Sequence, residues 1–245
     1  MTILIYDGSF EGLFTAIYEC YINKIPFYKI VPKNKIQQNF FEEYKFIETD
    51  LIKAEKLQKK IISNISQKAL HKIYYVFISE IDNKEELICS FLKLGFEFKK
   101  ETHQYLSNKI VLTVNRISQK VLKEKHLLLG LIRFRELKNN IFYAPIEPKY
   151  NILILLTPHF VKRMPLQNWI IHDTKRKIAA IYNQKGLLLI ELDTAISTFS
   201  DQEEKFQSLW KEYFENIKIE DRVKPKLQKQ HMPLRYWKYL IEKSL

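Results

Sequence analysis

The side chains that could perform acid–base or metal chemistry are few and widely spaced. The candidates are His126, His159 and His172, with Glu124 and Asp173 beside them. No pair has the H-E-x-x-H or H-x₃-H spacing that places two metal ligands on one helix face. A metal site would therefore need residues from several elements, and a packed or hydrogen-bonded role is the commoner outcome for each histidine. His126 and His159 are the two catalytic candidates, because both lie in basic stretches.

Asp7 is the third catalytic candidate. It follows an apolar strand pattern, ILIY, and precedes a predicted helix. In open α/β sheets, ligands and acidic catalytic residues gather where a strand ends and a helix begins. Asp-Gly-Ser is also common turn chemistry, and a cap for the turn and helix is the favoured interpretation. No G-x-G-x-x-G motif or P-loop follows the strand, so nucleotide binding there is not predicted.

The chain has two cysteines, Cys20 and Cys89, both among apolar neighbours. Two cysteines cannot form a disulfide framework, a four-cysteine zinc site or an iron–sulfur cluster held by this chain alone. Both are expected in the core, and no cofactor is predicted.

Positive charge is concentrated in two segments. Residues 115–178 hold 13 Lys and Arg against 4 Asp and Glu, and residues 222–245 hold 7 against 1. The segment between them, 179–221, is acidic, with 4 against 9, and residues 1–114 are nearly balanced. Clustered charge of one sign is the expected footprint of a partner of opposite sign. The second half of the chain is therefore predicted to bind a polyanion, most simply DNA.

Several basic residues are candidates for phosphate contact, although a solvated surface charge is the commoner role for any one of them. Arg133 and Arg135 alternate along a predicted strand and would share one face. Guanidinium groups suit bidentate phosphate contact, and hairpin turns can reach a groove or backbone. The remaining candidates end a predicted helix or lie in a predicted hairpin turn: Lys162, Arg163, Lys175 and Arg176.

The tail mixes cations with aromatic residues in the run RYWKY, residues 235–239. On a helix these residues point in all directions, so some must be buried and others exposed. Trp237 and Leu240 are predicted to anchor the tail. Arg235, Tyr236 and Lys238 are predicted to contact nucleic acid, since an exposed aromatic ring beside a cation can stack on a base while neutralising phosphate.

The order of periodic patterns predicts an α+β fold. A small N-terminal α/β and helical region, residues 1–82, would pack on a C-terminal basic domain, residues 83–245, built from an antiparallel sheet with flanking helices. Helices are expected at about 50–64, 67–79, 84–94 and 103–129. Two paired strands with a turn at Asn139 and Asn140, a helix interrupted or restarted near Pro158 and a three-stranded meander would follow. An acidic helix is expected after the meander, and it should pack by its apolar face, which is formed by Phe206, Leu209, Trp210, Tyr213, Phe214 and Ile217.

Four blocks resemble a bacterial protein family assigned to DNA metabolism or repair. They are YDGSFEGLFTAIYECY, then KHLLLGLIRFREL with IFYAPIEPKYNILILLTPHF, then WIIHDTKR, then MPLRYWKYL. Members of that family are typically encoded beside a radical SAM protein, and a related domain occurs fused to a uracil-DNA glycosylase-like domain. The resemblance therefore implies DNA and a radical SAM protein as partners.

Three functions remain open from the sequence. The first is a DNA-binding accessory protein in DNA repair or modification that acts with a radical SAM partner. The second is a glycosylase- or nuclease-like enzyme acting on its own, since a glycosylase needs only one carboxylate and a base pocket. The third is a protein-interaction scaffold. The first is favoured, and catalysis by this chain alone is not expected. With no apolar stretch of about 20 residues and no signal-peptide pattern, the chain is expected in the cytoplasm, without a membrane partner.

Overall fold

The computed structural model describes residues 2–22, 29–36, 42–99, 107–217, 219 and 224–243. By its contacts the chain divides into two compact units, Met1–Val121 and Leu122–Leu245. With a parallel sheet and helices in the first unit and a mixed sheet with helices in the second, the fold class is α+β. The boundary predicted between residues 82 and 83 lies within the first of these units and stays a prediction.

The first unit contains a parallel sheet with strand order β2-β1-β3. The strands are β1 (Thr2–Tyr6), β2 (Lys29–Pro32) and β3 (Glu43–Phe46), and helix α1 (Phe10–Ile22) follows β1. Ser9 caps α1, because its Oγ accepts a hydrogen bond from the Gly12 backbone N–H at 2.8 Å. The apolar stripe of α1 packs inward, and Leu13, Phe14 and Ile17 are fully buried.

Three helices complete the core of the first unit: α2 (Leu51–Asn64), α3 (Gln67–Ile78) and α4 (Lys84–Phe98). Asp50 and Ser66 cap the first two. The predicted helix at about 84–94, which would end at Gly95, is longer in the structure and ends at Phe98. Gly95 lies inside the helix, where an added Cβ would stand 2.3 Å from Ile65 Cδ1, so this glycine permits close packing instead of ending the helix.

Helix α5 (Lys109–Leu131) follows, and Val114, Val121 and Leu128 on its apolar side are buried. Its predicted start near residue 103 lies outside the described residues.

The second unit is built on a five-stranded sheet with order β4-β5-β6-β7-β8. Its strands are β4 (Arg135–Glu136), β5 (Ile141–Ile146), β6 (Asn168–Asp173), β7 (Ile178–Tyr182) and β8 (Leu187–Glu191). Strands β4 and β5 pair as predicted through a turn in which Asn140 adopts φ 55°, and β6, β7 and β8 form the predicted meander.

The sheet is mixed, which corrects the prediction of an antiparallel one. Strands β5 and β6 run parallel, because helix α6 (Leu153–Arg163) carries the chain back across one sheet face between them. Pro158 lies inside α6 without ending it.

Helix α7 (Glu203–Asn216), helix α8 (Pro225–His231) and a short 3-10 helix, Leu234–Tyr239, follow the sheet. The prediction that α7 packs by its apolar face is wrong. Its apolar side chains are largely exposed, among them Phe206, Leu209 and Tyr213, and Glu203 is its one fully buried residue. Among the contacts of the helix, Glu203 accepts a hydrogen bond from the Glu136 backbone N–H and Trp210 donates one to Glu242, and most of its apolar residues remain accessible.

Candidate nucleic-acid interface

A buried carboxylate ties three chain segments together in the second unit. Glu124 of α5 accepts hydrogen bonds from the backbone N–H groups of Lys149 and Tyr150 at 2.8 and 3.0 Å, and from the Tyr236 hydroxyl. Its side chain is 3% exposed. Glu124, considered for acid–base chemistry from its sequence neighbourhood, therefore holds the loop after β5 and the C-terminal tail in place.

A second carboxylate fixes the hairpin between β6 and β7 against the same loop. Asp173 accepts hydrogen bonds from the Lys175 and Arg176 backbones and pairs with the Arg176 guanidinium at 2.8 Å. That guanidinium also donates to the Pro148 and Lys149 carbonyls. Burial raises the pKa of Asp173, and the Arg176 contacts oppose that rise. Arg176 is committed to holding the loop and hairpin together, so we remove it from the predicted phosphate-contacting set.

The tail joins this assembly through Glu147. Lys238 pairs with the Glu147 carboxylate, and the Tyr239 hydroxyl donates to the same oxygen at 3.1 Å. The Lys238 hydrogen bond, followed by that of Tyr239, lowers the pKa of Glu147 against the effect of burial. The Tyr239 hydroxyl also meets Thr174 at 2.9 Å. Loop, hairpin and tail thus form one continuous surface.

Two predictions for the tail are corrected by this packing. Tyr236 is 2% exposed and its hydroxyl is bound to Glu124, so its ring cannot stack on a base in this conformation. Trp237 is only half-buried, with its indole N–H donated to the Met232 carbonyl. The deeper anchors are Tyr236 and Leu240, because a 3-10 helix turns these side chains inward.

Five exposed cations lie on the surface formed by loop, hairpin and tail, and two of them, Lys177 and Lys238, pair with the exposed Asp193 and the half-buried Glu147. We call the other three, Lys149, Lys175 and Arg235, the basic patch. Lys149 lies over the Tyr150 ring, at 5.4 Å from its centre. Arg235 is about half exposed and lies over the Tyr236 ring, 3.5 Å from Glu124. Since the carboxylates beneath are buried or paired, the outward charge of the patch is positive. Lys149 was not selected from the sequence, because its position beside the hairpin depends on the long-range contacts of Arg176.

Arg133 and Arg135 do not share one face, which corrects the prediction for this pair. Strand β4 begins only at Arg135, and Arg133 lies before it. Arg133 pairs with Glu242 at 2.6 Å, whereas Arg135 lies over the Phe199 ring and its buried Nε has no hydrogen-bond partner among the described residues. The two guanidinium groups do not form one solvent-facing pair of cations, so we leave both residues outside the basic patch.

Lys162 and Arg163 are exposed at the C-terminal end of α6. The basic patch adjoins the N-terminal end of α6, and the 11 residues of this helix span about 16 Å. The predicted cations therefore occupy two places instead of one.

The three catalytic candidates are not assembled into a site by the described contacts. His126 is exposed on α5, and the His159 ring contacts the Phe160 ring edge-on at 5.0 Å. Asp7 lies in the first unit, where its carboxylate accepts hydrogen bonds from the Ser9 backbone, the Ser9 hydroxyl and the Thr49 hydroxyl. Burial would raise the pKa of Asp7, but these bonds hold it below its usual value. They match the cap interpretation.

His172 of β6 forms a buried chain of hydrogen bonds on the face of the five-stranded sheet opposite α6. Its Nε2–H donates to the Leu192 carbonyl at 2.9 Å, which leaves Nδ1 to accept from the Tyr143 hydroxyl at 2.7 Å. Burial lowers the pKa of His172. With both nitrogens occupied and the ring 1% exposed, the residue is a core histidine.

An aromatic cleft of about 750 Å³ lies beside α7, within the second unit. Phe134, Phe142, Phe206 and Trp210 form its apolar walls, and Arg163 and Glu136 are among its polar lining. We call this feature the aromatic cleft. Sequence reasoning placed Phe206 and Trp210 on one helix face but assigned that face to the core, so the cleft was missed.

No three or more His, Cys, Asp and Glu side chains within the described ranges are grouped so that they could hold a metal ion. In the same part of the chain, no helix combines the length and apolarity needed to cross a membrane.

The fold and surface define an α+β protein that carries a basic patch and an aromatic cleft on its C-terminal unit. Residues 82–242 match the domain of unknown function DUF4130, and the chain belongs to that family. The matched region covers the whole of the patch and the cleft. No curated protein matches the sequence at a significant level.

Proposed function

We propose that the protein is a DNA-binding accessory protein in DNA repair or modification, acting in the cytoplasm with a radical SAM partner. The observation that supports DNA binding most directly is the basic patch. Lys149, Lys175 and Arg235 come from three distant segments and are exposed together on one hydrogen-bonded scaffold. Phosphate contacts need cations held at fixed positions, and this scaffold supplies them.

The acids under the patch position its cations without facing solvent themselves. Glu124 and Asp173 are almost fully buried and paired with donors, so they hold the cations without presenting negative charge to an incoming phosphate. Lys238 contributes less, since it is paired with Glu147. Partnership with a radical SAM protein rests on the resemblance of the four sequence blocks.

The test is the salt dependence of binding to fluorescent duplex DNA. Each phosphate neutralised by a Lys or Arg contributes about 0.9 to the slope of log affinity against log salt. Replacing Lys149, Lys175 and Arg235 together by Gln should reduce the slope by about 2 to 3 and leave the melting temperature within a few degrees.

The matched control replaces the exposed Lys56, Lys68 and Lys93 of the first unit by Gln, which removes the same charge elsewhere. Its slope should equal that of the unmodified protein. Equal slopes for both triple variants would contradict a localised patch, and a slope near zero for the unmodified protein would contradict phosphate binding altogether. Affinity for duplex RNA, measured in parallel, tests whether DNA is the preferred nucleic acid.

Partnership is tested by anaerobic co-purification of this protein with a radical SAM protein encoded beside a gene of the family that the four blocks resemble. Failure of the two proteins to co-purify would contradict the partnership.

A further inference from the structure

The aromatic cleft has features that the proposed duplex contact does not use. Phe206 is 55% exposed and Trp210 is 38% exposed on α7, a helix that also exposes three acids, two lysines and the apolar side chains of Leu209 and Tyr213. Exposed apolar side chains gathered beside a cavity commonly mark a binding site. The volume of about 750 Å³ falls within the range of small-ligand pockets, roughly 300–1,000 Å³.

Two walls of the cleft, Phe134 and Trp210, are held in fixed orientations. Phe134 packs edge-on against Phe160 at 5.3 Å and against Trp169 at 6.4 Å. The Trp210 indole N–H donates to the buried Glu242 carboxylate at 3.0 Å, and Arg133 lies over its ring at 5.6 Å. Rigid aromatic surfaces favour a flat aromatic ligand, because stacking on a fixed ring loses little entropy.

The polar groups of the cleft define the rest of the ligand. Arg163 is exposed at the end of α6, and its guanidinium has no ion-pair partner in the described part of the chain. Glu136 accepts a hydrogen bond from the Ser200 hydroxyl at one oxygen, Oε2. A cation beside an aromatic wall suits a phosphate attached to a base, and a carboxylate accepts hydrogen bonds from an exocyclic amino group.

We propose that the aromatic cleft binds one unpaired base of a DNA strand, with the adjoining phosphate at Arg163 and with cytosine preferred to thymine. This inference rests on the proposed DNA binding and specifies its single-stranded element. Phe206 and Trp210 stack on the base. Glu136 accepts from the cytosine amino group, for which thymine has only a carbonyl oxygen in the corresponding place.

The test compares two short single strands of equal length and charge, an oligodeoxycytidine and a strand of abasic residues. Stacking on an aromatic side chain changes affinity about fivefold to a hundredfold per base. Phe206→Ala should weaken oligodeoxycytidine binding by that factor and leave the abasic strand unaffected. Phe206→Leu, a milder change, should weaken oligodeoxycytidine binding less than Phe206→Ala does. The matched control is Leu209→Ala, because Leu209 is 50% exposed on the same helix and does not line the cleft.

The base preference is tested with oligothymidine. The unmodified protein should bind oligodeoxycytidine more tightly than oligothymidine, and Glu136→Gln should narrow the difference, since its amide can donate to the thymine carbonyl.

Equal affinity of the unmodified protein for the cytidine and abasic strands would overturn the cleft as a base site, as would equal losses in Phe206→Ala and Leu209→Ala. Equal binding of cytidine and thymidine strands would overturn the preference. Failure to bind the abasic strand and duplex DNA at low salt would instead contradict the proposed function, so the two failures are distinguishable.

Discussion

Glu242 receives two hydrogen bonds from the Arg133 guanidinium, from Nη2 at 2.6 Å and from Nε at 3.2 Å, although 109 residues separate the two side chains in sequence. The Glu242 side chain has no exposure, and Arg133 keeps 20%. Burial opposes ionisation of Glu242, but the Arg133 contacts, with help from the Trp210 N–H, hold its pKa below the usual value. The pair fastens the tail to the segment after α5, beside the aromatic cleft.

Removing Arg133 should therefore destabilise the second unit. Arg133→Met leaves a buried carboxylate without its cation and should cost about 3 kcal/mol, the lower end for a broken buried pair, because Arg133 is partly hydrated. Tryptophan fluorescence during urea unfolding measures this unit selectively, since Trp169, Trp210 and Trp237 all belong to it. Arg163→Met, at an exposed residue, should change stability by less than about 0.5 kcal/mol. Equal effects of the two substitutions would contradict a structural role for Arg133.

The tail should depend more on Tyr236 than on Trp237. Tyr236→Ala removes a fully buried ring and one donor to Glu124, and should lower the free energy of unfolding by about 3–5 kcal/mol. Trp237→Ala removes a half-buried ring and should cost about 1–2 kcal/mol. Thermal and urea unfolding of the two variants provide the comparison. A Trp237 variant as unstable as the Tyr236 variant would show that the indole, and not the phenol, anchors the tail.

Periodicity in the sequence was sufficient to predict most elements. The turn at Asp7 and Ser9, the Asn140 turn and the meander depend on neighbouring residues, and local patterns predicted them correctly. The parallel β5–β6 pair was missed, because its direction depends on the path of α6 across the sheet.

The candidate sites were harder to predict because charge alone does not reveal pairing. Arg176 and Lys149 are both cations of the basic segment 115–178. Arg176 is bound to backbone carbonyls, whereas Lys149 faces solvent. The distinction depends on contacts across some 25 to 28 residues. Likewise, the apolar stripe of α7 gives no sign of whether the rest of the unit covers it.

Buried, neutral His172 should make stability depend on pH. The unfolded chain binds a proton at this residue near its ordinary pKa of about 6.5, whereas burial lowers the pKa in the folded state. Between the two values the unfolded state holds more protons, so this residue's contribution to stability falls as pH drops below about 6.5 and is constant above it. The slope should not exceed about 1.4 kcal/mol per pH unit.

Urea unfolding at several pH values, compared between the unmodified protein and His172→Gln, isolates this contribution. The stability difference between the two proteins should shrink as the solution is acidified from pH 6.5. His126→Gln, at an exposed histidine, should show no such trend. A difference that stays constant with pH would mean that His172 titrates normally in the folded protein.

The turn at Asp7 provides a test of the cap interpretation in the first unit. An added Cβ at Gly12 would stand 2.1 Å from the Asp7 Oδ1 atom and 2.9 Å from the Thr49 hydroxyl. Gly12→Ala should therefore destabilise this unit, although Ala is favoured over Gly within a helix by about 0.8–1.0 kcal/mol. In an Asp7→Ala background the closer clash is absent, and the same substitution should be much less harmful or stabilising.

Circular dichroism at increasing urea for the two single variants and the double variant gives the coupling free energy between the sites. A coupling near zero would mean that the carboxylate moves aside freely and does not hold the turn. Asp7→Asn keeps the acceptor oxygen for Ser9 and removes the charge, so it should retain more stability than Asp7→Ala. Equal instability of Asp7→Asn and Asp7→Ala would show that the charge, more than the hydrogen bonds, stabilises the start of α1.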